Sequence, residues 1–93
     1  MKTGIELIAE ERQEQITKHG RTIEADVVTN SDYQLRIAAM RMIGDRGDYP
    51  APDGWDKAIW DKMQGKPKLE RLIIAGALIA AEIDRLQSLN HQQ

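Results

Sequence analysis

Three groups of residues in this chain have types and spacings suited to chemistry. Glu10, Glu11 and Glu14 place three carboxylates within five positions, a set that could hold a divalent cation. Lys66, Lys68 and Arg71 surround the start of the last predicted helix, where unpaired backbone N–H groups and the helix dipole also favour an anion. Trp55 and Trp60 fall with Tyr49 within twelve residues, in a chain without phenylalanine. Flat apolar faces there suit a planar ligand, and Trp60 is the better candidate because it lies off the stripe of its own helix. Arg12 is a fourth point of interest, a long cation in the middle of an apolar stripe. It is snorkelling, paired or facing a ligand, and Glu82 and Asp84 are its natural partners if it is paired. The candidate ligand-binding residues are therefore Arg12, Trp55, Trp60, Lys66, Lys68 and Arg71, with cations for phosphates and indoles for a base. His19 and Asp26 lack a third partner for a metal site. With no cysteine, no Ser/His/Asp order, no phosphate-cradling glycine loop and no HExxH, we expect no catalytic residue, no metal ligand and no cofactor.

The elements that must position these groups are helical. Thr3 and Glu6 form a capping box for a first helix, which Lys18, His19 and Gly20 close. Ile5, Ile8, Ala9 and Ile16 share one of its faces. In residues 21–29, Thr22, Ile23, Val27 and Val28 are β-branched, so part may run extended, and the stretch is expected to form an ordered loop. Asn30 or Ser31 caps a second helix with Leu35, Ala38, Ala39 and Met42 inward, ending at Gly44. The run from Gly44 to Gly54 is rich in turn residues. Asp53 caps a short third helix to about Met63, with Trp55, Ile59 and Met63 inward. Pro67 opens the last helix.

That last segment, Leu69 to Leu89, is the organising element. Ten residues from Leu72 to Ala81 carry no charge, too few to span a bilayer. On a helical wheel, Leu69, Leu72, Ile73, Gly76, Ala80 and Ile83 form one stripe, expected to face the core. Ile74, Leu78 and Ala81 lie opposite, flanked by Arg85. A helix with two apolar faces must meet another helix of the same chain or another copy of the protein with its second face, and Ile74, Leu78, Ala81 and Arg85 are assigned to the expected interface of a homo-oligomer. The fold expected is all-α, one domain over 1–93, with three to four helices around the C-terminal one.

The chain has 93 residues and no cysteine, so a monomer would bury only a modest core without disulfide or thiolate support. A net charge of −2 gives no basic field and argues against general nucleic-acid binding. The amino terminus shows no apolar signal region and no segment reads as a membrane span. The expected location is the cytoplasm, that of the host if the chain is phage-encoded.

Two resemblances bear on function. Glu10-Glu11-x-x-Glu14 resembles the EExxE motif of MazG-like all-α nucleoside triphosphate pyrophosphohydrolases, which bind magnesium through those acids and a later ExxD pair. Here the later segment reads Glu82-Ile83-Asp84, and those carboxylates stand about 200° apart on a helix. Glu10 and Glu14 also lie opposite the apolar stripe. The second resemblance covers more of the chain: Glu11-Arg12, Gln15-Ile16, Gly20, Asn30, Leu35, Ala38-Ala39, the tryptophans, Lys66-Pro67-Lys68 and AGALIAAEIDRL from Ala75 to Leu86. It is similar to small helical proteins of phages and prophages whose middle segment varies in length. That resemblance implies a phage-related origin and no particular activity. By analogy with phage sponge proteins, the leading expectation is a non-enzymatic oligomeric binding protein that sequesters a nucleotide second messenger of host defence. The alternatives are the MazG-like hydrolase and an adaptor that inhibits a host enzyme through the outer face of the last helix.

Overall fold

The Thr3 box forms as the sequence dictates. The Thr3 hydroxyl accepts from the Glu6 N–H, the Glu6 carboxylate accepts from the Thr3 N–H, and Gly20 closes the helix in the left-handed region at φ 65°. The computed structural model describes residues 1–31 and 33–91. Within them the chain forms five helices and no strand: α1 (Gly4–His19), α2 (Ile23–Thr29), α3 (Gln34–Ile43), α4 (Lys57–Gln64) and α5 (Lys68–His91). The Cα radius of gyration is 12.9 Å, close to the roughly 12 Å of a compact chain of this length.

The all-α expectation holds, with more helices than the three to four expected. Residues 23–29 are helical rather than a loop. The Thr22 hydroxyl caps the Ala25 N–H, and Glu24 and Asp26 lie in the first turn. These terms and packing of α2 against α5 outweigh the mild helix penalty of Ile23, Val27 and Val28. Two starts also move. Asn30 does not cap α3, because its side-chain amide is committed to Asp26 and Trp55, and that helix begins at Gln34. Asp56, not Asp53, caps α4 by accepting from the Ile59 N–H.

The core sits between α3, α4 and α5. Leu35, Ala38, Ala39 and Met42 of α3 meet Ile74, Ala75, Leu78 and Ala81 of α5, and Trp60 of α4 closes the cluster. Trp60 is wholly buried while Ile59 is more than half exposed, so the inward stripe of α4 is rotated from the expected one. The α5 faces are likewise exchanged. Ile74, Leu78, Ala81 and Arg85, expected at a subunit interface, are only 4, 0, 1 and 4% exposed within one chain. Leu69, Leu72 and Ile83, expected inside, are exposed. The inner face tolerates Arg85 because Glu82 meets it at two points, Nε to Oε1 at 2.7 Å and Nη2 to Oε2 at 3.2 Å. The Ser31 carbonyl also accepts from Arg85, and Arg36 joins Glu82 at 3.1 Å.

The loop from α3 to α4 is fastened at two places. Gly44 lets Tyr49 lie against the backbone, where a Cβ would run into the phenol ring. The Tyr49 carbonyl accepts from both Trp60 Nε1 and Gln64 Nε2, each at 2.8 Å, while the Tyr49 N–H donates to Gln64 Oε1 at 3.0 Å.

Candidate functional site

The α1–α2 side of α5 is built differently, from buried polar groups. Gly20 turns the chain after α1 and brings Arg21 back across the helix end, where its carbonyl accepts from Arg12 Nη1 at 2.9 Å. Asp26 and Asn30 stand one turn apart on α2 and share a face. Asn30 Nδ2 donates to Asp26 Oδ1 at 2.8 Å, and Trp55 Nε1 donates to Asn30 Oδ1 at 2.7 Å. Asp26 Oδ2 is buried without a hydrogen-bond partner, 3.8 Å from Arg12 Nη2. Asp84 approaches the same guanidinium nitrogen at 3.7 Å from α5. Asp84 therefore is a partner of Arg12 as expected, Asp26 is an unexpected second one, and Glu82 is engaged by Arg85 and Arg36.

Burial pushes the Asp26 carboxyl above its ordinary pKa, opposed by the Asn30 hydrogen bond and by the charges of Arg12, Arg21 and Arg85. The Arg21 guanidinium lies 4.4 Å from the centre of the Trp55 ring, an arrangement that holds its fork in place. Burial also lowers the Arg21 pKa, with the charge of Asp26 opposing.

Two clefts open on this side and meet at His19, Arg21 and Ile59. One, of about 320 Å³, runs between α2 and the start of α4, with Asp26, Asn30, Trp55 and Asp56 in its walls. The other, of about 490 Å³, runs between α1 and α4, lined also by Glu11, Glu14, Lys62 and Lys66. Each falls in the range of small-ligand sites, roughly 300–1,000 Å³. The first offers an indole, a fixed guanidinium and a buried carboxylate. The second offers lysines opposite carboxylates.

The six expected ligand-binding residues divide. Trp55 lines the first cleft, Lys66 the second, and Arg12 braces the floor from beneath. Trp60 is a core residue whose Nε1 is spent on the Tyr49 carbonyl, so it offers no platform. Arg71 turns inward to cap α3, donating through Nη1 to the Met42 and Gly44 carbonyls and through Nε to that of Lys66. Lys68 and Arg71 both pair with Asp45, and those cations hold the Asp45 carboxyl below its usual pKa, Lys68 foremost. The cation cluster at the α5 terminus is thus a fastening of the α3–α4 loop. From sequence, Arg21 and Asn30 are not named as site residues and Asp26 is weighed only as a metal ligand. Their signal is the Asp26-x-x-x-Asn30 spacing, which is readable only once 23–29 is taken as a helix.

The three amino-terminal carboxylates do not converge. Glu10 pairs with Lys2, Glu14 with Lys18 at 3.9 Å, and Glu11 accepts from Gln15 Nε2 at 3.3 Å. Among the described residues, no group of three or more His, Cys, Asp or Glu is arranged to hold a metal ion. None of the described helices is long and apolar enough to cross a membrane. No protein-family model, no curated protein and no solved structure matches this chain.

Proposed function

We propose that this chain is a phage-related, non-enzymatic and oligomeric binding protein, and that its ligand is a nucleotide held across the two adjoining clefts. The observation that carries the reading is Arg21 stacked on Trp55 at the junction of two ligand-sized clefts. The indole fixes the guanidinium, which then meets a phosphate without losing side-chain freedom on binding. Lys62 and Lys66 extend that positive edge into the second cleft, and Trp55 with Ile59 gives the first an apolar wall for a base. Capture of a nucleotide second messenger of host defence is the role this proposal favours. The likeness of Lys66-Pro67-Lys68 and AGALIAAEIDRL to phage-encoded helical proteins supports the origin.

The test is calorimetry and tryptophan fluorescence against a panel of linear and cyclic nucleotides. Saturable binding is expected, with the ligand recovered intact. Arg21→Glu should weaken it about tenfold or more, the loss of one charge-assisted contact of roughly 1.5–3 kcal/mol. Absence of heat and of quenching across the panel would remove the nucleotide assignment. Magnesium-dependent release of pyrophosphate, lost in Glu14→Gln, would replace it with the MazG-like hydrolase.

A further inference from the structure

The second cleft is polarised. Its α1 wall carries acceptors, the Glu11 and Glu14 carboxylates and the Gln15 amide, while α4 and the turn after it supply Lys62 and Lys66. Among the described residues no ion pair joins those carboxylates to those lysines. Glu14 meets Lys18 instead, at 3.9 Å, and Glu11 holds Gln15, whose Nε2 donates to Glu11 Oε2 at 3.3 Å. A carboxylate can only accept, so the amide nitrogen must face Glu11 and Oε1 must face away from it. Gln15 is only 5% exposed, and its Oε1 is buried without a hydrogen-bond partner among the described residues. Buried acceptors are ordinarily paired. One left open in the wall of a ligand-sized cleft marks where a donor belongs.

We infer that Gln15 Oε1, with the Glu11 carboxylate beside it, accepts from the 2′-hydroxyl of a ribose, so that the ligand is a ribonucleotide and a deoxyribonucleotide is discriminated against. The inference rests on the nucleotide reading and names the sugar. A phosphate only accepts, so it suits the lysines and cannot answer an acceptor wall. A plain amine would suit the carboxylates and be repelled by the lysines. A ribonucleotide carries acceptors and hydroxyl donors on one short frame and meets both walls. The order of its parts also fits. With the base against Trp55 in the first cleft and phosphates along Lys62 and Lys66, the sugar that joins them lies past the junction at His19, Arg21 and Ile59, where α1 supplies Gln15 and Glu11. Glu11 also favours the charged form of Arg21, which sets the hydroxyl-reading group near the cation at that junction. A carboxylate on the ribose 2′-hydroxyl is an arrangement that dinucleotide sites use as well. The 2′-hydroxyl is the one that linear and 3′,5′-cyclic nucleotides both leave free. Oε1 is already shielded from water in the folded chain, so a bond to it forms with little further desolvation of the protein. Glu11 acts twice, as an acceptor and as the group that fixes which end of the amide is offered.

The experiment is calorimetry with nucleoside triphosphates and 3′,5′-cyclic dinucleotides of adenine and guanine, each beside its 2′-deoxy counterpart. The ribonucleotide is expected to bind about tenfold or more tightly than its deoxy form, the worth of one bond to a buried acceptor. Gln15→Met keeps a similar volume and removes the acceptor. It should bring the ribonucleotide down to the deoxy affinity and leave the deoxy affinity as it was. Glu11→Ala, at a half-buried position of α1, frees the amide to turn and should also shrink the preference. It keeps the test open if circular dichroism shows that Gln15→Met does not fold. Equal affinities of the wild type for ribo and deoxy forms overturn this inference and leave the nucleotide reading standing. A preference that survives undiminished in the folded variants does the same, because the hydroxyl is then read elsewhere. Binding of none of these probes overturns the inference and, with the rest of the nucleotide panel equally silent, the reading it rests on.

Discussion

The two sides of α5 are held by different physics. Toward α3 and α4 the contacts are apolar and close, with Leu35, Met42, Trp60 and Leu78 all at or below 1% exposure. Toward α1 and α2 the interior holds Arg12, Asp26 and Asn30, and the guanidinium-to-carboxylate distances of 3.7 and 3.8 Å are longer than direct hydrogen bonds. The first side draws its stability from burial. On the second, desolvated charges offset much of their own attraction, so that side specifies geometry more than it stabilises. The clefts open on the second side, where the polar groups are fixed.

The comparison can be broken most forcefully at Trp60. Trp60→Ala removes the side chain that closes the apolar cluster and should cost about 3–5 kcal/mol in urea unfolding. A loss below about 1 kcal/mol would mean that the apolar side is not the source of stability. Next in size is Arg12→Met, which leaves Asp26 buried and uncompensated and should cost about 3 kcal/mol. Adding Asp26→Asn should restore most of that loss, since the amide can still accept from Asn30. Strict additivity of the two substitutions would show that the pair is uncoupled.

The smallest effect sharpens the comparison through pH. Burial raises the Asp26 pKa in the folded chain, so the fold holds this proton more tightly than the unfolded chain does. Its contribution favours folding fully below the ordinary carboxylate pKa and declines as pH rises from that value through the raised one. Asp26→Asn should flatten this component of the stability profile, as read by denaturant midpoints across the acid range. An identical profile in the variant would mean that Asp26 titrates alike in both states.

The sequence made some of this legible and concealed the rest for identifiable reasons. The capping box of α1 and the glycines that end α1 and α3 are local signals, and they appear where local rules place them. The two apolar faces of α5 were also readable, but a helical wheel carries no sign. The larger side chains and the absence of charge drew the outer stripe inward, whereas Glu82 and Arg85 satisfy each other and leave the opposite stripe free to pack. Ile59 and Trp60 differ by one position, and the choice between them was made by the Tyr49 carbonyl, a partner eleven residues away. Of the residues that type alone singles out, Trp55 and Lys66 line the clefts and Arg12 braces the floor. Arg21, Asp26 and Asn30 needed α2 to be known as a helix, and its β-branched content hid that.

The Tyr49 carbonyl, with its two donors, divides the span between α3 and α4 into two short arcs. Closure entropy grows only as the logarithm of length, about 0.6 kcal/mol for each doubling, and each arc bears its own share. The arc before Tyr49 contains Gly47, exposed and at φ 74°, where extra residues can be spliced without disturbing either fastened end. The arc after it ends in Trp60 and Gln64, which must reach one oxygen together, so its length is bound to the register of α4. Evolution and engineering alike therefore have a permissive insertion point on one side of a single carbonyl, and a measured length on the other.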